Sequence, residues 1–215
     1  MDNLQQNQQL SNIAFVLGNG QSRLNVNHRK LKNQGTVYGC NALYREFEPD
    51  HLIAVDVKMV NEIIASGYHH THSVWTNPNK GIMATTGINY FSPHKGWSSG
   101  PTALHFAATQ GHKTVYILGF DYQGNNGLFN NVYADTFNYK KSSDSATFFG
   151  NWLGQTERTV QEFPSITFYR VIKRGYFVPD KLQGLRNLQH ITLEEFEQHF
   201  PETVYLDQMT QKTTI

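Results

Sequence analysis

Short β-rich runs that close on a small or polar residue alternate along this sequence with segments of helical spacing. Ile13–Leu17, Thr36–Cys40, Leu52–Asp56, His72–Thr76, Thr114–Leu118 and 166–171 read as strands. The first three lack a polar alternation, as strands buried on both faces do. Between the runs, Val57, Val60, Ile63 and Ile64 recur at helical spacing, with Gly67 placed for a left-handed helix end. In "SSGPTALHFAATQG", Ser98 and Ser99 can cap a helix, Pro101 suits its first turn, Ala103, Leu104, Ala107 and Ala108 form its apolar face, and Gly111 ends it. A further helix is predicted over 154–163. Thr192 and Glu195 form a capping box ahead of a last helix that buries Leu193, Phe196 and Phe200. Strands alternating with helices predict an α/β fold, a Rossmann-like, mostly parallel sheet flanked by helices. The Gly-, Pro- and Asn-rich passage 77–99 carries no clear element, and 123–149 reads as a lid-like insertion.

A length of 215 residues suits a single domain over 13–207, with a disordered polar leader over 1–12 and a tail over 208–215. Hydrophobic residues make up 39% and charged residues 16%, a globular balance. The net charge of +1 argues against nonspecific binding to a nucleic-acid duplex, whose affinity comes from accumulated Lys and Arg. No segment reaches the roughly 18 apolar residues of a membrane span. The lone cysteine, Cys40, cannot form an internal disulfide, and with no signal-like leader this predicts a cytoplasmic protein. A homo-oligomer is compatible with the composition.

In parallel sheets, ligands sit beyond the carboxyl ends of the strands. Four such points stand out: Gly18–Ser22, Cys40–Asn41, Asp56 and Gly119–Asp121. Gly18 and Gly20 permit positive φ and a close backbone approach, while Asn19, Gln21 and Ser22 add neutral donors, a set suited to a phosphate or a nucleotide edge. It is neither a Walker A loop nor the full three-glycine dinucleotide fingerprint, and a plain tight turn uses the same letters. Ser98, Ser99 and Gly100 add a second donor set at a helix start, where unpaired N–H groups favour an anion. The histidines of "HHTH", His69, His70 and His72, alternate between faces and lack zinc spacing, so no metal site is predicted.

The segments "FVLGNGQS", "YGCNALY", "SSGPTALHFAATQGHKTVYILGFDY" and "FFGNW" followed by "TERTVQEF" together resemble the bacterial sialyltransferases of the type that includes the Campylobacter lipooligosaccharide enzymes. They also resemble related domains described as similar to 6-hydroxymethylpterin pyrophosphokinase. The resemblance covers about residues 13 to 190. It implies one Rossmann-like domain with a lid, a CMP-sugar donor and no metal. Residue by residue it implies that Asn19 and its neighbours approach the nucleotide phosphate, that Asn41 contacts nucleotide or sugar, that Ser99 and Gly100 cradle the donor, and that Asp56 replaces a nucleoside-contacting Asn. Tyr122 and Tyr133 are available for the phosphate-binding tyrosines of the lid. The catalytic histidine of the family aligns with Asn151, which has no usable pKa as a base. Asp121, directly after a strand, is then the candidate substitute.

The expected function is a metal-independent glycosyltransferase that takes a cytidine nucleotide sugar as co-substrate and a hydroxyl acceptor, with no resident cofactor. The alternatives are a magnesium-dependent phosphoryl or pyrophosphoryl transferase that uses Asp56 and Asp121, and a nucleotide binder without catalysis.

Overall fold

The uninterrupted apolar runs become the middle of the sheet, with the bounds their sequence predicts: β1 (Ile13–Leu17), β2 (Thr36–Cys40) and β6 (Thr114–Leu118). A computed structural model describes residues 12–205. The leader before Asn12 and the tail over 208–215 lie outside the described residues. The other strands are β3 (His51–Ile53), β4 (Val74–Thr76), β5 (Ile88–Tyr90), β7 (Thr167–Ile172) and β8 (Leu188–Thr192). The helices are α1 (His28–Leu31), α2 (Val57–Ala65), α3 (Ser99–Thr109), α4 (Gly150–Glu162) and α5 (Leu193–His199).

All pairings are parallel, in one eight-stranded sheet ordered β5-β4-β3-β2-β1-β6-β7-β8. Alternate residues of each strand feed two cores. Phe15, Leu17 and Tyr116 pack with Leu31 of α1, Val60 and Ile63 of α2 and Phe196 of α5. Ala14, Val16 and Ile117 pack with Leu104 and Ala107 of α3 and Val160 of α4. Both faces are therefore covered by helices, the Rossmann-like arrangement expected of alternating elements.

Several boundaries differ from the sequence expectation. β3 stops at Ile53 because Asp56 is the N-cap of α2, its Oδ1 accepting the Lys58 N–H at 2.9 Å. β4 starts at Val74 because His72 is stacked on Tyr68 at 4.0 Å in the preceding turn. α4 starts at Gly150, four residues before 154, so Asn151 lies inside its first turn. β5 and β8 carry no strand in the sequence reading, and both lie at sheet edges. The Thr192–Glu195 capping box forms as predicted. No helix among the described residues is long and apolar enough to cross a membrane.

Candidate functional site

The chain leaves β1 toward β2 and the far edge, then returns through α3 to place β6 against the other side of β1. Strand order reverses there, the place where ligand crevices form in open parallel sheets. The turns after these strands are tied together. Gly18 N–H donates to the Leu118 carbonyl at 2.8 Å and Gly20 N–H to the Gly119 carbonyl at 2.9 Å. A Cβ on Gly20 would stand 2.5 Å from Asp121 Cγ, and one on Gly18 would stand 2.7 Å from the Gly119 carbonyl oxygen. The missing side chains let two turns touch.

This corrects the sequence reading of the glycine turn. Gly18 and Gly20 do not take positive φ, Gly20 being extended at −67°; it is Gly119 that adopts the left-handed conformation, at +70°. Nor is the turn a set of unengaged donors. Gln21 N–H donates to Asn130 Oδ1 at 2.9 Å, Ser22 N–H to Asp121 Oδ2 at 3.1 Å and Arg23 N–H to the Gly20 carbonyl at 3.4 Å. Among these residues only the Asn19 N–H has no partner among the described residues.

Asp121 is buried, and its carboxylate also accepts the Ser22 hydroxyl and the Asn130 amide, the latter at 3.0 Å. Three donors thus hold the carboxylate between the turn and segment 123–149, a positioning task that the sequence reading of Asp121 as a base did not include. Behind it, Arg170 of β7 is 1% exposed and donates to the carbonyls of Phe120 at 2.8 Å and Asp121 at 2.9 Å. Its guanidinium lies 5.1 Å from the Tyr122 ring centre. Tyr122 holds a φ of 53° and shares a hydrogen bond of 2.6 Å with Thr156.

The start of α3 is different. Thr102 N–H bonds the Ser98 carbonyl at 2.9 Å and Pro101 has no N–H, so the N–H groups of Ser99 and Gly100 have no partner among the described residues. Ser98 does not cap with its side chain; its N–H donates to Gln155 Oε1 at 3.1 Å, and Ser99 Oγ accepts from the Val55 N–H at 3.1 Å. The helix start is thus fixed to the segment after β3 and to α4 by other groups while two donors stay unengaged.

These pieces enclose a cleft of about 720 Å³ of empty space, its open mouth included, within the roughly 300–1,000 Å³ of small-molecule sites. Gly18–Gly20, Cys40–Asn41, Ser98–Pro101 and Gly119–Gln123 line it from the strand ends and α3. Segment 123–149 contains no helix or strand among the named elements and adds Phe129, Asn130, Asn131 and Thr147 to the lining; α4 adds Trp152. This segment is tied down by polar contacts. Tyr133 OH donates to Glu46 at 2.6 Å and accepts from the buried Arg23 at 2.9 Å, Asn19 Nδ2 donates to Tyr139 OH at 3.2 Å, and Val132 N–H donates to the Asn19 carbonyl at 2.8 Å. Sequence reasoning missed Phe129, Asn130 and Trp152, for which only the Asn-rich stretch and "FFGNW" give any signal.

Of the predicted residues, Gly18, Asn19, Gly20, Asn41, Ser98, Ser99, Gly100, Asp121 and Tyr122 all line this cleft. Four do not. Ser22 is buried beneath it on Asp121. Asp56 is exposed and lines a separate shallow pocket with Lys58, so the two carboxylates offered for magnesium do not share one pocket. Asn151 is exposed at the start of α4. Tyr133 has its hydroxyl engaged by Arg23 and Glu46, and the Tyr122 hydroxyl is likewise engaged by Thr156.

Among the described residues the lining contains no Lys, Arg or His, and Asp121 is its one carboxylate. Burial pushes the Cys40 thiol up to about 12, the Arg23 charge only partly opposing it, so the thiol stays protonated. Burial likewise raises the Tyr122 phenol. Asn19 and Asn41, the latter at a φ of 53°, each keep a buried side-chain oxygen without a hydrogen-bond partner among the described residues. Among the described residues no group of three or more His, Cys, Asp or Glu is placed to hold a metal ion. Comparison with family models, curated proteins and solved structures gives no match, so the functional reading rests on the residues themselves.

Proposed function

We propose that the switch-point cleft binds a nucleotide carrying a single phosphate, and that the protein is a glycosyltransferase using a nucleotide-monophosphate sugar, of which a cytidine donor is the type the family resemblance implies. The observation that carries the reading is the pair of unengaged N–H groups of Ser99 and Gly100, two residues that line a cleft with no cationic side chain among the described residues. A helix start supplies about half a unit of positive charge, enough for one phosphodiester. A pyrophosphate brings more negative charge, which ordinarily needs lysine, arginine or a divalent ion. The unpartnered oxygens of Asn19 and Asn41 suit the hydroxyls or amine of a nucleoside. In the transfer, the oxygen of the acceptor hydroxyl forms a bond to the anomeric carbon as the bond to the phosphate oxygen breaks, and the hydroxyl proton passes to the departing phosphate. The charge gathering on that phosphate is then stabilised by the two N–H groups.

A second reading, a nucleotide binder without turnover, is favoured by one observation: the hydrogen-bonded Asp121 and the protonated Cys40 leave the cleft without an unengaged general base. Thermal unfolding with CMP, CDP, UDP, GDP and ATP, with and without magnesium, tests both. Ligand at about 100 times its dissociation constant adds roughly 2.7 kcal/mol of stability. Stabilisation by CMP without magnesium is expected, and response to ATP with magnesium alone would overturn the proposal. Release of CMP from CMP-sugars in the presence of saccharide acceptors separates transferase from binder.

A further inference from the structure

A second and larger cavity lies on the other side of the segment that leads into α3. It holds about 1,170 Å³ of empty space, its mouth included. Its floor is aromatic. Trp75 of β4 lies 4.6 Å from Phe106 of α3 and 5.3 Å from Phe91, and Phe91 lies 5.3 Å from Phe106, centre to centre. All three remain partly exposed, although rings of this size are ordinarily buried once clustered. Trp97 forms the wall toward the first cleft, just before Ser98.

The rim is polar and mutually neutralised. Lys95 Nζ lies 2.7 Å from Glu162 Oε2 and 4.9 Å from the Trp97 ring centre, and His105 Nε2 lies 3.3 Å from Glu162 Oε1. Burial lowers the His105 pKa. The ammonium and the carboxylate both keep unused hydrogen-bonding capacity beyond this pair. The Asn77 side chain, also on the rim, makes no hydrogen bond to the described residues.

We propose that this groove binds a neutral pyranose saccharide. A pyranose presents an apolar face of C–H bonds and an edge of hydroxyls that both donate and accept. Aromatic faces beside a charge-compensated rim of donors and acceptors match both sides. A purely apolar ligand would strand the rim groups, and an anion would have to compete with Glu162 for Lys95. The proposal does not depend on the nucleotide reading of the first cleft.

The tryptophans separate the two sites. Of the three in the chain, Trp75 and Trp97 line the groove and Trp152 lines the first cleft. In Trp152→Phe, the remaining tryptophan emission comes from the two tryptophans of the groove. Lactose, cellobiose and maltotriose are titrated in the millimolar range, and a saturable emission change with at least one of them is expected. Combining Trp152→Phe with Asn77→Ala should weaken that binding several-fold, and adding Trp97→Phe should weaken it further, circular dichroism confirming that each variant is folded. The absence of a saturable change across the saccharides, or saturation by CMP or adenosine alone, overturns the proposal. In Trp75→Phe/Trp97→Phe the remaining emission comes from Trp152 and reports nucleotide at the first cleft, so either site can fail while the other stands.

Discussion

Ser22 donates to the Asp121 carboxylate twice, through its N–H at 3.1 Å and through its hydroxyl. The pair joins the turn after β1 to the turn after β6, and both turns line the cleft. Replacing Ser22 with Ala leaves a buried carboxylate oxygen short of a donor. That should cost about 1–3 kcal/mol, read as a lower urea midpoint at unchanged slope.

Gly20 should tolerate no side chain. The Cβ of Gly20→Ala would meet Asp121 Cγ at 2.5 Å and the Gly119 carbonyl oxygen at 2.7 Å, and neither is the free end of a flexible chain. Overpacking of this kind costs about 1–3 kcal/mol. The loss should appear in ligand-free protein, because the glycine serves turn-to-turn contact; a variant as stable as the parent would refute that assignment.

Such roles mark the limit of what the letters reveal. β1, β2 and β6 are legible because strands covered on both faces need unbroken apolar runs. β5, three residues reading Ile-Asn-Tyr, and β8, with Gln189 exposed, lie at the edges, where side chains need not be apolar. The cleft was legible as a set of strand ends, since the parallel order alone brings Gly18–Gly20, Asn41 and Ser99–Gly100 together. The use of each residue was not. A glycine that admits a ligand and one that admits another turn look the same in sequence, and the engagement of Asp121 depends on Asn130 and Ser22, 9 and 99 residues away.

Arg170 is predicted to be replaceable by neither Met nor Lys. Its guanidinium serves the carbonyls of Phe120, Asp121 and Phe177 at once, from a site 1% exposed. Methionine leaves those carbonyls without donors, and an ammonium cannot reproduce the planar fork. A loss of about 3 kcal/mol is expected for Arg170→Met, measured by urea denaturation. A near-neutral result would show that the carbonyls find other partners.

His28 makes stability depend on pH. Burial, followed by the Arg23 charge, lowers its pKa from 6.5 to about 4, while Glu46 pulls the other way; Arg23 Nη1 lies 3.2 Å from its Nε2. Below the unfolded value of 6.5 the unfolded chain takes up the proton and the folded chain does not. The stabilisation is therefore complete above pH 6.5 and declines as pH falls toward 4. By pH 5 the loss from this residue should be at most about 2 kcal/mol. Urea midpoints at pH 7.5 and pH 5, compared with those of His28→Asn, measure it; equal pH dependence in both proteins would rule out His28 as the source.

The electrostatics of the cleft predict an unusual order among nucleotides. Ser99 and Gly100 can serve one phosphate through their N–H groups, and among the described residues no Lys, Arg or His lines the cleft to serve a second or third. A helix start contributes up to about 2 kcal/mol toward a single anion, and each further charge must then be desolvated without a partner. Affinity should therefore fall from CMP to CDP to CTP in the absence of magnesium, by about tenfold or more overall, which corresponds to roughly 1.4 kcal/mol. The dependence on ionic strength should be shallow, since the site neutralises one charge and gathers no counterion-releasing cluster. Calorimetric titration of the three nucleotides at two salt concentrations provides the check. A rising order from CMP to CTP would mean that cationic groups reach the phosphates in solution, and the single-phosphate reading would fall with it.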